Sequence, residues 1–216
     1  MDVHQQILIE RKQYMLQLHN LKDQNIIKVI TGVRRCGKST LLMMFANDII
    51  KKGVDANQIQ FYNFEDLDIL SIGDIYQIHT HIKERLIDDK MNYIFLDEVQ
   101  NIKEFQRLVD SLYIKPNVDV YITGSNAYML SGELATLLTG RYVEINILPL
   151  QFSEYYHFTL SKSPNLSRNE ILANYIHFGG IPEYIKQLNN SEKQADLFAQ
   201  SILKTIVEKD IFQRLN

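Results

Sequence analysis

Gly32-Val33-Arg34-Arg35-Cys36-Gly37-Lys38-Ser39-Thr40 is the stretch from which the rest of the chain can be read. Gly32 and Gly37 followed by Lys38-Ser39 form the Walker A pattern. Glycines let a loop curl so that successive backbone N–H groups point inward at phosphate oxygens. A helix starting directly after the loop adds its unpaired N–H groups and the positive end of its dipole. Residues Gly32, Val33, Arg34, Arg35, Cys36, Gly37, Lys38, Ser39 and Thr40 are therefore the expected nucleotide cradle. In this pattern Lys38 reaches the β and γ phosphates and the Ser39 hydroxyl sits on a magnesium ion. Arg34 and Arg35 are either surface arginines at the loop tip or contacts to nucleotide, a neighbouring domain or a partner. Cys36 reads as a tolerated residue whose place in the loop leaves oxidative inhibition open.

Outward from the loop, 26–31 reads as a mostly apolar strand and Lys38 to about Ile50 as a helix, the setting that the phosphate loop requires. The second signal is Tyr93-Ile94-Phe95-Leu96-Asp97-Glu98, an apolar strand delivering two carboxylates at its C-terminal end. Ligands sit at such ends in open α/β sheets. Asp97 is the expected magnesium holder. Glu98 is the candidate to orient and activate an attacking water. The plainer alternative is a pair of exposed acids opening a helix. The fourth strand, 118–123, runs into Gly124-Ser125-Asn126. Asn126 and Ser125 are either sensors of the γ-phosphate or helix N-caps. Asn63, ending the second strand, either hydrogen-bonds Glu98 or forms a turn. Arg141, after Gly140, is an arginine finger, a γ-phosphate sensor or a salt-bridged surface residue. The six histidines are scattered, and no Cys/His cluster points to zinc.

The remaining periodicity predicts an amphipathic helix over 6–22, a strand at 58–64, helices at 72–87 and 103–114, and a short strand at 142–147. Residues 127–138 read as helix or loop. Strand and helix alternate, which predicts an α/β three-layer core with a mostly parallel sheet. After Pro149 the character changes. An aromatic-rich stretch at 151–160 and a polar loop at 161–168 precede helices at 169–178 and 192–212, interrupted by Gly179-Gly180-Ile181-Pro182. The expected division is a phosphate-binding core over 1–155 and a small helical lid-like module over 156–216. The final helical pattern runs uncapped almost to the last residue, so the expectation is a chain that continues into a further domain.

At 216 residues the chain can bury a core without a metal or disulfide staple, and its single cysteine excludes an internal disulfide. A net charge of −3, with 23 basic against 26 acidic residues, argues against a globally basic nucleic-acid surface. No apolar run approaches the roughly 20 residues of a membrane span, and the N-terminus has no signal-peptide pattern, so a cytoplasmic setting is expected.

With these residues in hand the chain resembles the AAA-like ATPase domain found at the front of a large family of prokaryotic ATP-binding proteins. Members often carry a C-terminal domain related to restriction-type nucleases. The matching segments include Phe61-Tyr62-Asn63-Phe64-Glu65-Asp66, Leu96-Asp97-Glu98-Val99-Gln100, Thr139-Gly140-Arg141-Tyr142, Pro149-Leu150-Gln151-Phe152-Ser153-Glu154 and Phe178-Gly179-Gly180-Ile181-Pro182. The resemblance implies a P-loop core of the additional-strand, catalytic-glutamate (ASCE) type. Glu98 would be catalytic, with a polar sensor after the fourth strand, and the Gly179–Pro182 turn would be structural or nucleotide-facing. The expected function is ATP binding and magnesium-dependent hydrolysis driving a conformational switch. The alternatives are a nucleotide-dependent scaffold with negligible hydrolysis and a small-molecule kinase. Residues 163–216 contain only Arg168 and Arg214, which disfavours the arginine-rich lid of a kinase, and no Asn-Lys-x-Asp motif supports guanine recognition. ATP and ADP are the expected ligands, and a nucleic-acid or protein partner is left open.

Overall fold

The computed structural model describes residues 9–124, 138, 140–188, 196, 197, 199–202 and 204. Helix α1 spans Lys12–Leu21, followed by strand β1 (Ile27–Gly32) and helix α2 (Lys38–Lys51). Strand β2 (Ile59–Asn63), helices α3 (Leu67–Leu70) and α4 (Ile75–Lys83), strand β3 (Asn92–Asp97), helix α5 (Phe105–Tyr113) and strand β4 (Val118–Thr123) come next. Strand β5 (Tyr142–Ile147) and helices α6 (Phe152–Lys162), α7 (Arg168–Phe178) and α8 (Pro182–Leu188) complete the sequence of elements.

The sheet order is β2-β3-β4-β1-β5. The pairs β2–β3, β3–β4 and β4–β1 are parallel, with Asn63 beside Asp97 and Ile30 beside Thr123. The expected parallel α/β sheet is therefore present. Strands β1 and β3 are buried along their whole length, which explains their near-continuous apolar runs. This register brings the C-terminal ends of β1, β3 and β4 side by side, and that is where the sequence put its polar residues.

Two compact units divide the chain, and neither is one continuous stretch. One consists of Gln13–Gly32 with Lys38–Asn146; the other of residues up to Lys12, Val33–Gly37, and residues from Ile147 onward. In the first, Ile27, Val29, Ile94, Leu96, Val120 and Ile122 form one sheet face packed with Ile78 and Ile82 of α4 and Leu108, Val109 and Leu112 of α5. On the opposite face Phe45 of α2 meets Phe95 and Tyr121 edge-on and tilted, with ring centroids 6.4 and 5.3 Å apart. Each such side chain taken from water contributes roughly 1.5–3 kcal/mol. In the second unit Leu150, Tyr155, Phe158, Ile171 and Ile185 make a separate small core.

Local chemistry corrects several expected boundaries. The helix expected over 72–87 begins only at Ile75. The Asp74 carboxylate caps the N–H groups of Tyr76 and Gln77, and the Gln77 side chain accepts from the Asp74 N–H. The helix expected over 6–22 is described only from Lys12, leaving Arg11 just outside it. The aromatic-rich stretch, for which no element was expected, is helix α6. Its capping Glu154 accepts from the Gln151 N–H at 2.9 Å. Among the described residues no helix is long and apolar enough to cross a membrane.

Candidate functional site

The chain leaves β1 at Gly32, curls through Val33–Gly37 and enters α2 at Lys38. Arg35 and Gly37 take left-handed backbone with φ of 64° and 99°, the kind of curl that lines up inward-facing amides. A hydrogen bond from the Cys36 N–H to the Val33 carbonyl (3.3 Å) closes the loop on itself. Arg35 is exposed and Arg34 half-buried. Cys36 is fully buried, so its thiol lacks the solvent access that a redox-reactive cysteine needs. Within the loop's own unit, Pro182 of the Gly179–Pro182 turn lies against Gly37: a Cβ on Gly37 would stand 3.8 Å from the proline Cγ.

In the α/β unit five polar side chains converge: Lys38 and Ser39 of α2, Asp97 at the end of β3, Glu98 directly after it and Thr123 at the end of β4. Lys38, 4 % exposed, points its ammonium at the Gly32 carbonyl (3.2 Å) and at Glu98 Oε1 (3.8 Å). Asp97, 1 % exposed, accepts hydrogen bonds from the hydroxyls of Thr123 and Ser39. Burial pushes the Asp97 carboxyl up from its ordinary range, against the pull of those two hydroxyls and of Lys38, while the Glu98 charge pushes it further up. Two hard oxygen donors, Ser39 Oγ and the Asp97 carboxylate, stand together at the helix entry. Among the described residues no cluster of three His, Cys, Asp or Glu forms an all-protein cage. That donor set fits magnesium, which takes few protein ligands and completes its octahedron with phosphate oxygens and water.

Glu98 has left-handed backbone, φ 55° and ψ 50°, although it is not glycine. Such a conformation costs about 1–3 kcal/mol and clusters at functional sites. Its N–H donates to Thr123 Oγ1 at 2.9 Å. Its Oε2 accepts from the Gln100 side-chain amide. The Gln100 Oε1 is buried with no hydrogen-bond partner among the described residues. Thr123 is thus a hub: it donates to Asp97 and accepts from Glu98, holding both acids with one hydroxyl.

Thr123 and Gln100 are not among the site residues that the sequence motifs point to. Thr123 could have been found as the polar residue closing a buried strand, whereas Gln100, though inside the family-like segment Leu96–Gln100, carries no signal of its role there. Asn63 does not engage Glu98; its Oδ1 accepts from the Glu65 N–H at 3.0 Å and makes the turn. Arg141 is paired with Asp110 of α5 and lies over the Tyr113 ring at 5.7 Å, the arrangement of a surface ion pair. The structure does not bring it to Lys38, Asp97 or Glu98. Ser125, Asn126 and Thr139 lie outside the described residues.

Comparison with known proteins agrees with the fold. The sequence pattern of an AAA domain family matches residues 24–156. An uncharacterized protein of Haemophilus influenzae is 37% identical over 208 residues, 96% of this chain and 51% of that protein. One from Methanocaldococcus jannaschii is 30% identical over 197 residues, covering 88% of this chain and 43% of its own length. The chain thus spans about half the length of the curated relatives it matches. Among solved structures, a Walker-type ATPase of Pyrococcus abyssi superposes with a TM-score of 0.60 at 17% identity, covering 95% of this chain and 75% of the other. PCH-2 of C. elegans gives 0.54 at 14% identity, covering 90% and 67%. At these identities the likeness is one of fold.

Proposed function

The chain belongs to the AAA domain family, and from that premise we propose that it binds ATP with magnesium and hydrolyses it, using the cycle as a conformational switch. The observation that carries this reading is the convergence of Lys38, Ser39, Asp97, Glu98 and Thr123 at the C-terminal ends of β1, β3 and β4. The phosphates of ATP accept from the backbone amides of residues 33–40 and from Lys38. Ser39 and Asp97 would hold magnesium, which when bound neutralises charge on the β and γ phosphates. Glu98 orients water for in-line attack on the γ-phosphorus and takes its proton, and ADP leaves carrying the bridging oxygen. Thr123 holds both acids in place. Asn126 is assigned the role of γ-phosphate sensor, and Arg141 that of an arginine finger or sensor that must first leave Asp110. A cytoplasmic setting, a further C-terminal domain and a nucleic-acid or protein partner belong to the same reading.

One observation favours a second reading, nucleotide-dependent binding with negligible turnover. Glu98 has its two carboxylate oxygens engaged by Lys38 and Gln100, so it must be released before it can serve a water. Phosphate release from ATP and magnesium, measured beside nucleotide affinity, separates the two. Catalytic turnover supports hydrolysis; tight ATP binding without turnover supports the second.

A further inference from the structure

We propose that Arg11 is a positioning residue for the phosphate loop; this rests on the reading of Gly32–Thr40 as a nucleotide cradle. Arg11 is 5 % exposed although arginine is seldom buried, and its partners come from three distant segments. Its Nε donates to Glu154 Oε1 at 2.9 Å, one terminal nitrogen to the Leu148 carbonyl at 2.8 Å, and the other to the Cys36 carbonyl at 3.2 Å. All four residues belong to one compact unit. The planar guanidinium can serve three directions at once, which a lysine ammonium on a flexible stem cannot do with fixed geometry. Glu154 supplies the counter-charge that makes burial of the cation tolerable.

The consequence follows from peptide geometry. The Cys36–Gly37 peptide is planar and trans, so its C=O and N–H point in opposite directions. Arg11, by holding the Cys36 carbonyl, sets the direction of the Gly37 N–H, one of the donors that the cradle needs. The same Gly37 lies against Pro182. Glu154 meanwhile caps helix α6 through its other oxygen. The peptide that addresses phosphate is therefore tied, through Arg11, to the start of α6, and nucleotide binding energy depends on a residue 25 positions upstream of Cys36.

The test is titration of a fluorescent ATP analogue with magnesium into the parent chain, Arg11→Lys and Arg11→Ala, each with a thermal melt of the free protein. Arg11→Lys keeps a cation beside Glu154 and loses the fork. The expected result is affinity at least about tenfold weaker in Arg11→Lys, and weaker still in Arg11→Ala, at a temperature where the melts show full folding. A purely structural role would lower the melting temperature and leave the folded protein's affinity unchanged. Affinities within twofold of the parent in folded samples overturn the assignment. Should neither variant fold, amide order parameters of the free parent chain decide. Values near about 0.85 at Cys36 and Gly37 support a pre-set loop, and values below about 0.6 overturn it. A parent chain that binds no ATP overturns the cradle reading itself, a result distinct from either outcome for Arg11.

Discussion

Glu98 and Thr123 show how much one hydroxyl and one unusual backbone conformation organise. Thr123 Oγ1 is both donor to Asp97 and acceptor for the Glu98 N–H, so Thr123→Val removes two bonds while keeping the shape. The loss leaves a backbone donor without its partner beside a strained residue. About 1–3 kcal/mol of stability should go with it, read by chemical denaturation, together with a fall in any ATP turnover. Lys38 is buried against the Gly32 carbonyl and Glu98, and its ammonium is the point charge that this loop pattern aims at the phosphates. Lys38→Ala is therefore expected to weaken ATP binding by about a hundredfold or more, and to weaken adenosine binding hardly at all, in parallel titrations. The phosphate loop, Asp97 and Glu98 were legible from sequence because their chemistry is carried by adjacent residues. Thr123 and Gln100 were not, because their partners depend on strand register and on the turn after β3. Arg11 was hidden for the same reason: its partners lie 25, 137 and 143 positions away.

At the scale of elements, two close approaches carry predictions. Gly180 presses on Leu150, whose N–H donates to the Gly180 carbonyl at 2.6 Å, and a Cβ on Gly180 would stand 2.3 Å from the Leu150 carbonyl oxygen. Backbone cannot give way as a side chain can. Gly180→Ala should therefore cost about 1–3 kcal/mol, visible as a lower melting temperature, and a variant as stable as the parent would show that the turn is not held there. In the sheet, Lys28 of β1 and Asp119 of β4 form an ion pair with side chains 0% and 2% exposed. Burial pulls the Lys28 ammonium down and pushes the Asp119 carboxyl up, each opposed by the charge of the other. Asp119→Ala strands the buried cation and should cost about 3–5 kcal/mol in urea unfolding. The strands were read correctly from sequence to within a residue or two; the apolar runs of β1, β3 and β4 reflect burial on both faces, whereas β2 alternates between buried and half-buried residues. Helices fared less evenly. The start of α4 is decided by side-chain capping at Asp74, which the period of Ile75, Ile78 and Ile82 does not mark, and the aromatic residues of α6, though they recur at helical spacing, also suit strands.

For the whole molecule, the parallel sheet and the AAA family membership follow from signals spread over most of the chain. The division into two units does not follow from them. The expected units were consecutive stretches, whereas Val33–Gly37 and the segment before Gln13 group with the residues after Asn146. Contacts at long separation decide that grouping, and composition shifts along the chain carry no record of them. The central claim concerns Glu98 as the residue that activates water on bound ATP. Its most direct test is phosphate release from ATP and magnesium by the parent chain and by Glu98→Gln, with ATP affinity measured for both. The account predicts turnover by the parent and a loss of about a hundredfold or more in the variant, at comparable affinity. Equal turnover by Glu98→Gln would contradict it.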